Sequence, residues 1–150
     1  NRNFEGRISP DVKMNYLEQW LKNRQAAAAR YDSIIDEEHL GSFLKKPTRK
    51  PNRNHTFNQY VVRVGGGERD ALVQYLRSEK IGCEIYYPLP LHLQECLQFL
   101  GHAKGDFPTS ETACNEVMAL PMFPEITAEQ QRLVIRTCAS FLRQKVRKVA

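Results

Sequence analysis

The chain has 150 residues, 41% apolar and 26% charged, with a formal net charge of +5, which suits one globular domain with a real core. No apolar run approaches the roughly 18–20 residues of a membrane-spanning helix and no signal-peptide pattern opens the chain, so a cytoplasmic protein without membrane contact is expected. It begins with Asn1 rather than Met, as a fragment, a processed product or an excised domain would.

Apolar residues recur at 17, 20, 21, 27, 28, 31, 34 and 35. This i, i+3, i+4 spacing predicts an amphipathic helix with Trp20 and Tyr31 on its buried side. Residues 37–54 read as a polar connection broken by Pro47 and Pro51. Phe57 to Val64 is rich in β-branched and aromatic residues and stops at Gly65-Gly66-Gly67, so it reads as a strand with Phe57 and Tyr60 in the core. The triple glycine is not a phosphate loop, since it lacks G-x-G-x-x-G and G-K-[ST] and is followed by Glu68. Arg69 to Lys80 is a helix expected to end at Gly82, and Cys83 to Tyr87 a short strand with Tyr86 and Tyr87 at its C-terminal end. Leu91 to Leu100 reads as a helix with Leu93, Cys96, Leu97 and Leu100 inward, stopped by Gly101. Another helix is expected over 109–118 and a strand over 119–123. Thr127 and Gln130 form a capping box for a last helix whose inward face includes Val134, Cys138, Phe141 and Leu142. Three short strands and five helices make an α+β domain, a small three-stranded sheet with helices on one face.

Cys83, Cys96, Cys114 and Cys138 include no C-x-x-C pair and read as buried thiols rather than metal ligands. His39, His55, His92 and His102 likewise lack the i, i+4 spacing that sets two imidazoles on one helix face, and no metal is expected. Lys45, Lys46, Arg49, Lys50 and Arg53 crowd one loop without an intervening acid. Such a run can neutralise phosphates, but no aromatic interleaves with it, which favours a solvated linker over a nucleic-acid surface. A non-catalytic module that binds nucleic acid or a protein through this loop remains the alternative.

His55-Thr56-Phe57-Asn58-Gln59-Tyr60, Tyr86-Tyr87-Pro88-Leu89-Pro90-Leu91-His92, Gly105-Asp106-Phe107-Pro108 and Ala119-Leu120-Pro121 together resemble, in order and spacing from about residue 17 to 141, the C-terminal part of the DegT-type sugar-nucleotide aminotransferases. The resemblance implies the small C-terminal domain of a pyridoxal-phosphate enzyme of the aspartate-aminotransferase fold. Such enzymes move an amino group from glutamate or glutamine to a nucleotide-linked keto-sugar and work as dimers with shared active sites. It places the Schiff-base lysine and the cofactor phosphate cup in a larger N-terminal domain that this chain lacks, so neither a catalytic nor a cofactor-binding residue is expected here. By itself the chain should bind no cofactor and should not transaminate. What the resemblance carries over is a substrate-facing wall of Tyr86, Tyr87, His92, His55 and Asn58. Phenols suit that role because they stack on a sugar ring and donate to its hydroxyls. A domain shaped against a large partner should also expose an apolar face when alone.

Asn1-Arg2-Asn3-Phe4-Glu5-Gly6-Arg7 resembles instead the N-R-N-F-x-G-R segment of aconitases. That resemblance implies that Arg2 and Arg7 match arginines whose guanidinium forks bind substrate carboxylates. Residues 1–16 are therefore set apart as a segment of possible foreign origin from an aminotransferase-like domain over 17–150. An aconitase remnant fused to an unrelated domain is the weakest reading.

Overall fold

The computed structural model describes residues 14–149. The first helix, α1 (Leu17–Glu37), buries Ala27, Ala28, Tyr31, Ile34 and Ile35, the expected apolar stripe, while Trp20 is only half-buried and stacks on Tyr16 at 6.0 Å. Strands β1 (Leu44–Lys45), β2 (Tyr60–Val64) and β3 (Val117–Leu120) form an antiparallel sheet in the order β1-β2-β3. Leu44 pairs with Val64, and Tyr60 and Val62 pair with Leu120 and Met118. Helices α2 (Arg69–Ser78), α3 (Pro108–Glu116) and α4 (Ala128–Val149) complete the α+β domain, with two 3-10 helices, Leu91–Leu93 and Glu95–Leu100, before α3.

Strand alternation decides what lies on each side of the sheet. Tyr60, Val62 and Val64 are buried and share one core with Tyr31 and Ile35 of α1, Leu72 and Leu76 of α2, and Ile135, Cys138 and Leu142 of α4. Val61 and Arg63 point the other way, as the period of two requires. Tyr31 and Tyr60 stack at 4.8 Å, and the Tyr31 hydroxyl donates to the Pro121 carbonyl at 2.8 Å, fastening the exit of β3 to α1. Between α1 and α4, the fully buried Gln131 donates to the Ala27 carbonyl at 2.7 Å and accepts from Arg30 at 2.9 Å. The capping box forms as expected, since the Thr127 amide donates to the Gln130 side chain and the Gln130 amide to the Thr127 hydroxyl.

Several boundaries differ from the sequence reading. The polar connection after α1 contains β1, two residues held by Val64 and Arg63 rather than by any propensity of their own. The strand expected over 83–87 reduces to one antiparallel bridge, Glu84 with Ala119, so Tyr86 and Tyr87 lie beyond pairing. Strand β2 starts at Tyr60 because Phe57 takes a left-handed φ of 47° and turns the chain first. The helix over 91–100 is instead two 3-10 turns that bury none of Leu93, Cys96, Leu97 and Leu100. Cys96 is thus exposed, a correction to the reading of four buried thiols, whereas Cys83, Cys114 and Cys138 are buried. Helix α3 stops at Glu116, and Val117 and Met118 already belong to β3, which ends at Leu120 rather than 123.

Two helices end on non-glycine residues in the left-handed region, His39 (φ 51°) and Lys80 (φ 60°). In each, the next amide reaches back five residues, Leu40 to Ile35 and Ile81 to Leu76, and its side chain is buried. That hydrophobic closure is the usual companion of such a stop. The end of α2 is therefore set by Lys80, not by Gly82.

Candidate functional site: the open face of the sheet

Tyr86 and Tyr87 stand on the sheet face opposite α1, α2 and α4, 52% and 62% exposed. A shallow cleft of about 110 Å³ lies between them and Val61, Gln59 and Glu84. Gln59 and Val61 also line a second groove with Asn58 and His55. Tyr87 further lines a third cleft, about 590 Å³, whose walls include Leu91, His92, Leu100 and Phe107. His55, Asn58, Tyr86, Tyr87 and His92 thus border neighbouring clefts that share lining residues, although they come from two separate segments. Pro88 and Pro90 restrict the backbone after the phenols.

The five side chains differ in availability. Asn58 is exposed, and His55 is exposed but oriented. The His55 Nδ1 accepts the Phe57 amide at 2.9 Å, its carbonyl accepts from Gln25 at 3.1 Å, and its ring lies 4.2 Å from the Phe57 ring. Accepting that bond leaves the proton of the neutral imidazole on Nε2. His92 is only 8% exposed. Its Nε2 is 3.1 Å from Glu111 Oε1, and Phe107 lies against its ring at 4.8 Å, so it forms part of the cleft floor rather than a projecting ligand.

Sequence reasoning missed the frame around that floor. The Glu111 carboxylate also accepts the Gly105 amide at 2.8 Å, which, more than His92, holds its pKa below the usual carboxylate range. Asp106 accepts the Ala103 amide at 3.0 Å and is likewise shifted down, chiefly by that bond and then by His102. His102 also meets the Phe107 ring, edge to face at 4.9 Å. The 101–107 loop is therefore tied down at both carboxylates, with Phe107 in contact with two imidazoles. Gln59 and Val61 were also overlooked as site residues, although β2 alternation places them on the open face once Tyr60 and Val62 are put in the core.

Of the basic loop, Lys46 pairs with Asp36 at 2.6 Å and Arg49 pairs with Asp32. Arg2 and Arg7 lie outside the described residues. Among the described residues no group of three His, Cys, Asp or Glu side chains could hold a metal ion, and no helix is long and apolar enough to cross a membrane.

Residues 11–139 match the model of the DegT/DnrJ/EryC1/StrS aminotransferase family. The chain belongs to that family. The match begins inside the segment 1–16 that the sequence sets apart. A "Pleiotropic regulatory protein" of Geobacillus stearothermophilus is 39% identical over 132 residues, covering 88% of this chain and 35% of the relative. A dTDP-3-amino-3,4,6-trideoxy-alpha-D-glucose transaminase of Micromonospora megalomicea subsp. nigra is 32% identical over 124 residues, covering 82% of this chain and 33% of the relative. Among solved structures, a DegT DnrJ EryC1 StrS aminotransferase from Brucella abortus superposes with a TM-score of 0.75 at 28% identity, over 87% of this chain and 33% of that one. The family member described here therefore spans about a third of the length of these relatives.

Proposed function

We propose that this chain is the substrate-facing C-terminal part of an aminotransferase that uses pyridoxal 5′-phosphate and transfers an amino group from glutamate or glutamine to a nucleotide-linked keto-sugar. The observation that carries the reading is the exposed Tyr86–Tyr87 pair above adjoining clefts on the open face of the sheet, in a chain whose family and transaminase relative point to amino transfer. A sugar has apolar ring faces and polar hydroxyls, and a pair of phenols answers both.

In this reading Tyr87, which lines two clefts, stacks on the sugar, and Tyr86 donates to a hydroxyl. His55 and Asn58 reach substrate oxygens from the start of β2. His92 supports the wall with Glu111 and Phe107 behind it.

The residues present do not fit the cofactor itself. A transaminase holds it through a lysine in a protected pocket, with donors for the phosphate. Between residues 14 and 144, Lys22, Lys45, Lys50, Lys80 and Lys104 are exposed and Lys46 is bound to Asp36. The lysine and the phosphate cup belong, in this proposal, to an N-terminal domain outside this chain, and a second subunit completes a shared site. By itself the chain is inactive. Leu91, Leu100 and Phe99, the last 80% exposed, form the apolar surface these partners cover.

The test joins a lysine-bearing domain to the chain and follows keto-sugar turnover. Tyr87→Ala should raise KM for the keto-sugar about two- to tenfold, the worth of one lost stacking contact, and leave KM for the amino donor unchanged. Unchanged kinetics for both substrates would remove Tyr87 from the substrate wall.

A further inference from the structure

The basic loop forms more than a solvated linker. A cleft of about 450 Å³ opens between it and the start of β2, lined by Arg49, Lys50, Arg53, Asn54 and His55 around the Phe57 ring, and no carboxylate is among the residues that line it. Its parts are held in place. The Arg49 guanidinium lies 5.0 Å over Phe57 and is anchored from outside the cleft by Asp32, whose other oxygen takes the Tyr60 hydroxyl. The Asp32 pairing engages one amino group and leaves further donors of the fork. His55 is fixed by the Phe57 amide and by Gln25, with Nε2–H as its free donor. Phe57 itself is buried in a left-handed conformation, which is strained for a bulky residue and persists only where the surroundings hold it.

Position gives the cleft a meaning. His55 lines both this cleft and the groove over Asn58, Gln59 and Val61, and Gln59 and Val61 continue into the cleft at Tyr86–Tyr87. The basic cleft, which Gln25 of α1 also lines, thus adjoins through His55 the groove that leads along β2 to the phenols. With Arg49 opposed by Asp32, Lys50 and Arg53 leave two positive charges facing a cleft without acids, the complement of a dianionic linkage.

We propose that this basic cleft binds the diphosphate of the nucleotide-linked substrate, an assignment that rests on the function proposed above. Lys50 and Arg53 supply the charge, while Arg49 and the His55 Nε2–H supply directed hydrogen bonds. The sugar attached to the diphosphate then extends along β2 toward the phenols.

The test titrates the full chain with inorganic pyrophosphate, inorganic phosphate, UDP and dTDP at low and moderate salt. Pyrophosphate and the two nucleotides should bind saturably and more tightly than phosphate. Lys50→Ala and Arg53→Ala should each weaken pyrophosphate about five- to tenfold at low salt and reduce the salt slope by roughly one. Tighter nucleotides than pyrophosphate would identify the source as a nucleoside diphosphate, and phosphate binding as tightly as pyrophosphate would overturn the assignment in favour of a monoester site. Absence of saturable binding, or equal affinities in wild type and the double variant, would overturn it outright. Failure of the two readings is separable. If the Lys50 and Arg53 effects vanish while Tyr87→Ala still raises the keto-sugar KM, only the diphosphate site falls; the reverse pattern removes the substrate wall and retains a diphosphate site.

Discussion

Replacing Tyr60 by Phe tests the network that joins the core to the basic loop. The ring is fully buried, stacks on Tyr31 at 4.8 Å and lies 6.4 Å from Phe57, so phenylalanine preserves packing and removes only the hydroxyl. That hydroxyl donates to the Asp32 carboxylate at 2.6 Å. A hydrogen bond to a charged acceptor contributes about 1.5–3 kcal/mol. Because the Asp32 side chain is 24% exposed, water recovers part of the loss, and the expected cost is about 1–2 kcal/mol. For a domain of this size that lowers Tm by about 2–8 °C. Burial first, and the bond to Asp32 second, push the Tyr60 phenol above its ordinary pKa of 10.0. A raised folded value means that the contribution is complete below the unfolded value and lost as pH rises above it. The deficit of the Phe variant should therefore be full at neutral pH and shrink above about pH 10. Thermal unfolding by circular dichroism across pH measures both effects. Equal Tm values at neutral pH, or a deficit that grows in alkali, would refute the reasoning.

Gln131→Leu should lower the urea midpoint by the equivalent of about 1–3 kcal/mol, because it cuts both bonds of the α1–α4 clamp; an unchanged midpoint would show that the clamp contributes nothing. Asp106 and Glu111 are shifted down in the folded state, so their contribution is present above the ordinary carboxylate range and is lost as pH falls through the lowered values. The protection factors of the Ala103 and Gly105 amides against hydrogen exchange should then fall in acid before the rest of the domain opens, and protection persisting until global unfolding would contradict the loop's dependence on these carboxylates. Cys96 should react with a thiol reagent in the native chain while Cys83, Cys114 and Cys138 wait for unfolding, since burial pushes the Cys138 thiol up to about 12 and also raises Cys83. Rapid modification of Cys138 in the native chain would show that the core is open.

Helices α1, α2 and α4, strand β2 and the cap at Thr127 were legible because each depends on a local pattern: apolar residues at helical or alternating spacing, or two polar side chains three residues apart. Val61 and Gln59 were legible in principle for the same reason. The Tyr86–Tyr87 pair could be singled out from its two prolines and from the family blocks around it. Its exposure could not, because the same pattern serves a turn packed on a core.

The amino-acid sequence by itself determined which face of each long element is apolar, and with it the α+β class and the family. Tertiary structure alone decided that Leu44–Lys45 pairs with β2, that the pairing of residues 83–87 stops after Glu84, that His39 and Lys80 end their helices, and that His92 turns inward to Glu111 while the phenols stay open. The reason is range. Periodicity reports the interactions of a segment with its own neighbours, whereas pairing partners, buried polar contacts and the meeting of separate clefts depend on residues tens of positions away that meet only once the core has formed.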